Sequence, residues 1–246
     1  LMRERTPLPK ELINKLPNLK LVITSGMWNA SIDTDELKAR NITYCGTDTK
    51  IHSTAELAWV LIMNSWRGLQ TEIENMKNGN WQTIVGRGLK GNTLGIFGLG
   101  KQGLQVANFA KAFDMRVIAW SHNLKKEDCK KANVEYVSSS DLFKMSDILT
   151  IHTRLSERTQ GYINKDKLKL MKKESVIVNT SRGPIIKEQD LINALNQNTI
   201  SCAALDVFDQ EPLPAEHILR KTKNTILTPH IGYVSVEAYE KFFNGY

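Results

Sequence analysis

The chain has 246 residues, 41% hydrophobic and 24% charged, an ordinary balance for a globular protein with a sizeable core in one large or two small domains. Its longest apolar run, residues 57–63, is too short to cross a bilayer and its first residues lack a basic-then-apolar secretory pattern, so a membrane role is set aside and a cytoplasmic location expected. The net charge of +7 comes from lysines spread along the chain, which favours small anionic ligands over nucleic acid, and the three cysteines (Cys45, Cys129, Cys202) suit a reducing compartment and have no metal-ligand spacing, so no metal is expected.

In chain order, residues 19–24 read as a strand, 34–40 as a short helix with Thr34 and Asp35 as capping candidates, and 42–45 as a second strand. A long helix is predicted over 53–69, where Ser53 can cap, Glu56 stands three residues later, and Ala55, Ala58, Leu61 and Ile62 recur at helical spacing. The stretch from there to Trp81 reads as polar loop. From Thr93 the pattern becomes regular: 93–97, 116–120, 148–152, 175–179, 201–207 and 225–228 as strands, with helices over 103–113, 142–145, 168–171 and 188–196. Apolar strands alternating with helices call for an α/β fold, a doubly wound parallel sheet covered on both faces. Ligands bind such sheets outside the carboxyl ends of the strands, so the residues that follow each strand are the ones that matter.

Gly98, Gly100 and Gly103 form a G-x-G-x-x-G pattern between a predicted strand and a predicted helix. That context fits a dinucleotide: a tight turn, room for the backbone to approach a pyrophosphate, close helix packing, and helix-start N–H groups at Lys101, Gln102 and Gly103 facing the anion. The next strand ends at Trp120, and the place usually held by a ribose-binding carboxylate is Ser121, eighteen residues after Gly103. Ser121, His122, Asn123, Lys125 and Lys126 offer donors and positive charge there, so NADP is expected ahead of NAD, which stays possible.

Three later segments each put polar residues at or after a strand end: Thr180, Ser181 and Arg182; Asp206 with Glu211; and His230 with Gly232. Reducing a 2-oxo acid needs a cation for the carboxylate and carbonyl, and an acid that protonates the oxygen. Arg182 supplies a planar two-pronged donor and His230 a group that exchanges protons near neutral pH, while Glu211 bonded to the imidazole would orient it. His52, His122, His152 and His217 lack such company, His152 ending a strand beside the cofactor groove, and Glu188 and Asp209 read as solvent-facing.

With these linked segments the chain resembles the D-isomer-specific 2-hydroxyacid dehydrogenase family over nearly its whole length. The resemblance implies a nicotinamide-dependent oxidoreductase acting on a small 2-oxo or 2-hydroxy acid of D configuration, and a homodimer. It places Arg182, Glu211 and His230 at the catalytic positions, Asp206 near the nicotinamide carboxamide, and Thr180 and Ser181 against the cofactor. It also implies that a loop holding Ser25, Gly26 and Met27 binds the substrate carboxylate through backbone N–H groups, together with Arg182 and His230. Domains are then expected at 1–49 (an incomplete α/β substrate domain), 50–232 (dinucleotide binding) and 233–246 (return to the substrate domain). Set against the family, the chain starts late and stops slightly early, and is expected to be truncated at both ends. A second class stays open, a nicotinamide-sensing binding protein like the family's transcriptional corepressors.

Overall fold

Alternation of side chains across a pleated sheet organises the larger part of the molecule. The computed structural model describes residues 6–26, 29, 31–47 and 52–244. They run α1 (Lys10–Asn14), β1 (Leu21–Thr24), α2 (Thr34–Ala39), β2 (Thr43–Gly46), α3 (Ser53–Arg67), α4 (Leu69–Lys77), β3 (Thr93–Phe97), α5 (Lys101–Ala112), β4 (Arg116–Trp120), α6 (Lys126–Lys131) and β5 (Glu135–Tyr136). There follow α7 (Ser139–Met145), β6 (Ile148–Ile151), α8 (Lys165–Leu168), β7 (Val176–Asn179), α9 (Glu188–Asn196), β8 (Cys202–Leu205), β9 (Thr225–Leu227) and α10 (Val236–Asn244). Residues up to 47 with 233–244 make one compact unit and 52–232 the other.

In the smaller unit β1 and β2 pair in parallel, Leu21 opposite Thr43, and Ile13, Val22, Ile32, Leu37 and Ile42 fill its core. The cap of α2 is Asp33, whose Oδ1 accepts from Glu36 N at 2.9 Å; Thr34 and Asp35 lie inside the first turn, one and two residues too late to fold back onto it.

In the larger unit seven parallel strands lie in the order β5-β4-β3-β6-β7-β8-β9. Leu94, Ile96, Val117, Ala119, Ile148, Val176, Val178 and Ala204 project to one face, under Ala58, Ile62, Val106 and Ala110 of α3 and α5. Phe97, Ile118, Leu149, Ile151, Ile177, Ala203 and Leu205 project to the other, under Leu142, Phe143, Leu168, Leu191 and Leu195. Each large side chain buried this way contributes about 1.5–3 kcal/mol, which is why two-sided burial selects nearly continuous apolar strands. The chain leaves β3 towards β4 and β5, then returns to place β6 on the other side of β3. The crevice at that reversal, outside the ends of β3 and β6, is where a doubly wound sheet receives a ligand.

Several boundaries differ from the sequence reading. Helix α3 stops at Arg67 because Gly68 turns left-handed (φ +63°), and Ser53 does not cap it: the N-cap is His52, without a side-chain bond, and the buried Ser53 hydroxyl has no partner among the described residues. The expected polar loop is α4, which buries none of its residues and so carries little hydrophobic periodicity. It is tied to the following segment by Glu72, which accepts from Thr83 N (2.9 Å) and Ile84 N (2.7 Å). Helix α5 begins two residues before the expected 103. Helix α8 lies one turn before the expected 168–171, since Asn164 caps it by accepting from Asp166 N and Lys167 N. The strand expected over 201–207 is only Cys202–Leu205, and α6 and β5 are too short to show a period.

Candidate active site

The glycine loop is shaped by close approaches. Gly98 has φ +104°, and a Cβ there would stand 2.6 Å from Thr153 N, so only glycine lets the turn pass the end of β6. At Gly103 a Cβ would come within 2.3 Å of Gly98 O, so α5 can rise directly beside the turn. Nothing lies within 4 Å of the corresponding point at Gly100. The first turn of α5 has no acidic residue and no side-chain cap, which leaves the N–H groups of Lys101, Gln102 and Gly103 directed out of the helix start. Open space, backbone donors at a helix start and absent negative charge fit a pyrophosphate. After β7, Thr180 is 7% exposed and its Oγ1 has no partner among the described residues, a buried hydroxyl that a cofactor hydroxyl or amide would satisfy.

Ser121, His122 and Asn123 follow β4, and Leu124 N donates to Ser121 O at 3.2 Å to make the turn. Burial, then the charge of Arg158, lowers the pKa of His122. Neither Ser121 nor its neighbours offers a carboxylate.

Strands β7, β8 and β9 run in register, Asn179 opposite Leu205 and Leu205 opposite Leu227, so Arg182, Asp206 and His230 leave three adjacent strands at one edge. Asn179 organises the first exit: its Oδ1 accepts from Ser181 N at 3.0 Å and its Nδ2 donates to Arg182 O at 2.9 Å. Ser181 Oγ donates to Thr153 O, and Arg182 Nη1 to Ser181 O at 2.7 Å. His230 sits in the left-handed region (φ +55°), uncommon for a residue with a side chain. Its Nδ1 lies 2.5 Å from Glu211 Oε2, both side chains being largely buried, and the other Glu211 oxygen accepts from Phe208 N at 3.0 Å. The carboxylate is therefore fixed at both ends, and the Nδ1 contact directs Nε2 to the opposite side of the ring.

What holds His230 there is Asp206, 1% exposed. Oδ1 accepts from Thr228 Oγ1 (2.6 Å) and Ile231 N (2.8 Å), and Oδ2 from Gly232 N (2.9 Å), so one carboxylate grips the turn on both sides of the histidine. Burial pushes the Asp206 carboxyl up, against those hydrogen bonds and the nearby His230, which pull it down. Thr54 Oγ1 adds a bond to Gly232 O at 3.0 Å from the start of α3. Sequence reasoning missed Thr54, whose partner is 178 residues away, and Thr228, which only its place two residues before His230 could have flagged.

In the smaller unit Ser25 and Gly26 follow β1; Gly26 has φ +86° and its N–H donates to Thr47 Oγ1 at 3.3 Å. Met27 lies outside the described residues. Asn29 is buried and steadies the same segment, with Nδ2 donating to Thr24 Oγ1 and Oδ1 accepting from Ser31 N. Glu188 does not simply face solvent: it pairs with His217 Nε2 at 3.2 Å, and burial raises its pKa.

Fold and site together define an oxidoreductase built on a dinucleotide-binding sheet. Residues 59–232 match the family description "D-isomer specific 2-hydroxyacid dehydrogenase, NAD binding domain". A glyoxylate reductase of Aeropyrum pernix is 37% identical over 230 residues, 89% of this chain and 69% of the relative. A solved phosphoglycerate oxidoreductase of Vibrio cholerae superposes with a TM-score of 0.93 at 34% identity, covering 99% of this chain and 79% of that one. A D-lactate dehydrogenase of Aquifex aeolicus, solved with NAD and lactic acid, gives 0.85 at 28%, covering 98% and 78%. The chain belongs to the D-isomer specific 2-hydroxyacid dehydrogenase family. Its reaction is nicotinamide-dependent oxidoreduction between a 2-oxo and a 2-hydroxy acid.

Two predictions follow from the buried groups. Asp206→Asn puts an amide N–H₂ opposite one of three donors, and should lose about 1–3 kcal/mol of stability to urea together with most of the turnover; wild-type values for both would show that the carboxylate does not hold the His230 turn. His152, whose Nε2 lies 2.9 Å from Thr150 Oγ1, has its pKa pulled down by burial from 6.5 to about 4. Between those values the unfolded chain takes up a proton that the folded one refuses, so stability should fall on acidification through that window. By area His152 is half-buried, so solvent screening holds the effect to roughly 1–2 kcal/mol. His152→Asn should remove that slope, as read by urea unfolding at neutral and mildly acidic pH; an identical slope in the variant would assign it elsewhere.

Proposed function

We propose that this protein reduces a small 2-oxo acid of the glyoxylate type, with NADP(H) favoured over NAD(H), as a cytoplasmic homodimer. The observation that carries the reading is the Glu211–His230 pair, 2.5 Å long and placed with Arg182 at the edge where the cofactor loop also lies. The bound nicotinamide supplies or accepts a hydride at the 2-carbon. His230 Nε2 donates the proton to the carbonyl oxygen, and the Glu211 carboxylate orients the ring and stands as its counter-ion. Arg182 is suited to the substrate carboxylate and carbonyl by its planar fork. Lys101, Gln102, Gly103, Thr180 and Ser181 face the cofactor, and Asp206 and Gly232 position the histidine. A small substrate is supported by the similarity to a glyoxylate reductase. The lack of a carboxylate at Ser121 supports NADP, and three free thiols suit a reducing cytoplasm.

The direct test is a panel of 2-oxo acids assayed with NADH and NADPH. His230→Ala should lower turnover by roughly 10²–10⁴-fold, and Arg182→Lys should also be poor, because a point charge cannot reproduce a two-pronged contact. Cofactor affinity, followed by fluorescence titration, should change far less in both. Turnover close to wild type in either variant would sink the assignment of that residue.

The dimer is supported by α4 and the segment after it, which expose Leu69 (51%), Met76 (57%), Trp81 (73%) and Val85 (98%), large apolar side chains that a second copy would cover. Trp81→Asp with Val85→Asp should shift the sedimenting species from dimer to monomer. A wild-type monomer, or a dimer unaffected by both charges, would rule this surface out.

A further inference from the structure

The segment after β6 brings a cation to the loop after β4. Arg158 Nη1 donates to Asn123 Oδ1 at 3.3 Å, and its charge is felt at His122. Two further sets of contacts fix that placement. Thr159 Oγ1 accepts from Ser156 N (2.8 Å) and donates to Arg154 O (2.7 Å), closing a turn immediately beside Arg158. Tyr162 stacks on Trp120 with ring centres 5.4 Å apart and meets His122 edge-on at 5.0 Å, while Trp120 and His122 are 4.9 Å apart. The two loops thus share one aromatic cluster, and the arginine is held two residues from Ser121 along the β4 loop.

The lysines that drew attention in the sequence are worse placed. Lys126 Nζ lies over the Tyr136 ring, 5.9 Å from its centre, and Lys125 is the N-cap residue of a helix whose first turn carries Glu127 and Asp128. Arg158, like the two lysines, has no carboxylate within ion-pair distance among the described residues, but its guanidinium is the one tied by a hydrogen bond to the loop after β4. It is a planar donor of two-pronged hydrogen bonds, the geometry that phosphate oxygens accept.

We propose that Arg158 is the residue that recognises the 2′-phosphate of NADP(H), with Ser121, His122 and Asn123 as its hydrogen-bonding partners around the same group. This rests on the preference for NADP(H) proposed above, and moves its cause from the basic run after β4 to a residue on a different loop. Discrimination then depends on the contact between two loops, and the Asn123 bond keeps the guanidinium in position before the cofactor arrives.

The test is isothermal titration calorimetry with NADPH and NADH, and with the half-ligands adenosine 2′,5′-bisphosphate and ADP, on the wild type, Arg158→Gln, Arg158→Lys, and the double variant Lys125→Gln with Lys126→Gln. Arg158→Gln should weaken NADPH and the 2′,5′-bisphosphate roughly 10- to 100-fold and leave NADH and ADP within about twofold. Arg158→Lys should retain part of the affinity, and the double lysine variant should lose no more than about threefold, an effect that salt abolishes. Equal weakening of both cofactors by Arg158→Gln, or a loss of NADPH confined to the lysine variant, would overturn the role of Arg158 while leaving the preference for NADP(H) intact. A wild type that binds NADH more tightly would overturn that preference and this inference with it.

Discussion

The buried Asp206 carboxylate is the constraint on which the sheet edge carrying Arg182, Glu211 and His230 depends. A charged group excluded from water must be met by donors on every side, and here the donors are Thr228, Ile231 and Gly232, the residues that flank His230. Because the histidine occupies a left-handed backbone position, the turn has no favourable local conformation of its own and is held by these bonds. Glu211 then acts on a ring whose backbone is already fixed. Two carboxylates therefore divide the work, Asp206 holding the main chain and Glu211 the imidazole.

The cofactor crevice depends on a different kind of constraint, the absence of side chains. The turn at Gly98 lies against the backbone of Thr153, and Gly103 against Gly98, so the loop is defined by how closely the main chain can pass. Ser181 reaches across from the end of β7 to Thr153 O, which joins the glycine loop, the β6 exit and the β7 exit into one continuous lining. Arg158 and Tyr162 extend the same lining to the loop after β4. At the start of α5 the backbone donors and the lack of an acidic residue in the first turn suit an anion.

The alternation of apolar residues made most of the larger unit legible in the sequence. Runs such as 93–97 and 175–179 are buried on both faces and are read as strands without knowing what covers them. The glycine spacing announced the cofactor turn because its requirements are local. Elements lying on solvent were not legible in this way: α4 buries nothing, and α6 and β5 are shorter than the period that would reveal them. The caps were misplaced by a residue or two at α2 and α3, because a Ser, Thr or Asp near a helix start can serve only at the one position directly before the first helical residue.

By itself the sequence determined the class of fold, the dinucleotide turn, and the identities of Arg182, Glu211 and His230 as groups with suitable chemistry beside strand ends. Each of those follows from short-range patterns: period two in strands, glycines where the chain must turn, polar residues after apolar runs. Only the tertiary structure decided that Asp206 braces the histidine turn, that Thr54 closes on Gly232 from another element, and that Arg158 reaches Asn123 in the loop after β4. These are pairings between residues distant along the chain, brought together by the order of strands in the sheet. No local pattern encodes that order, because it is set by which buried faces pack best once the whole chain is folded.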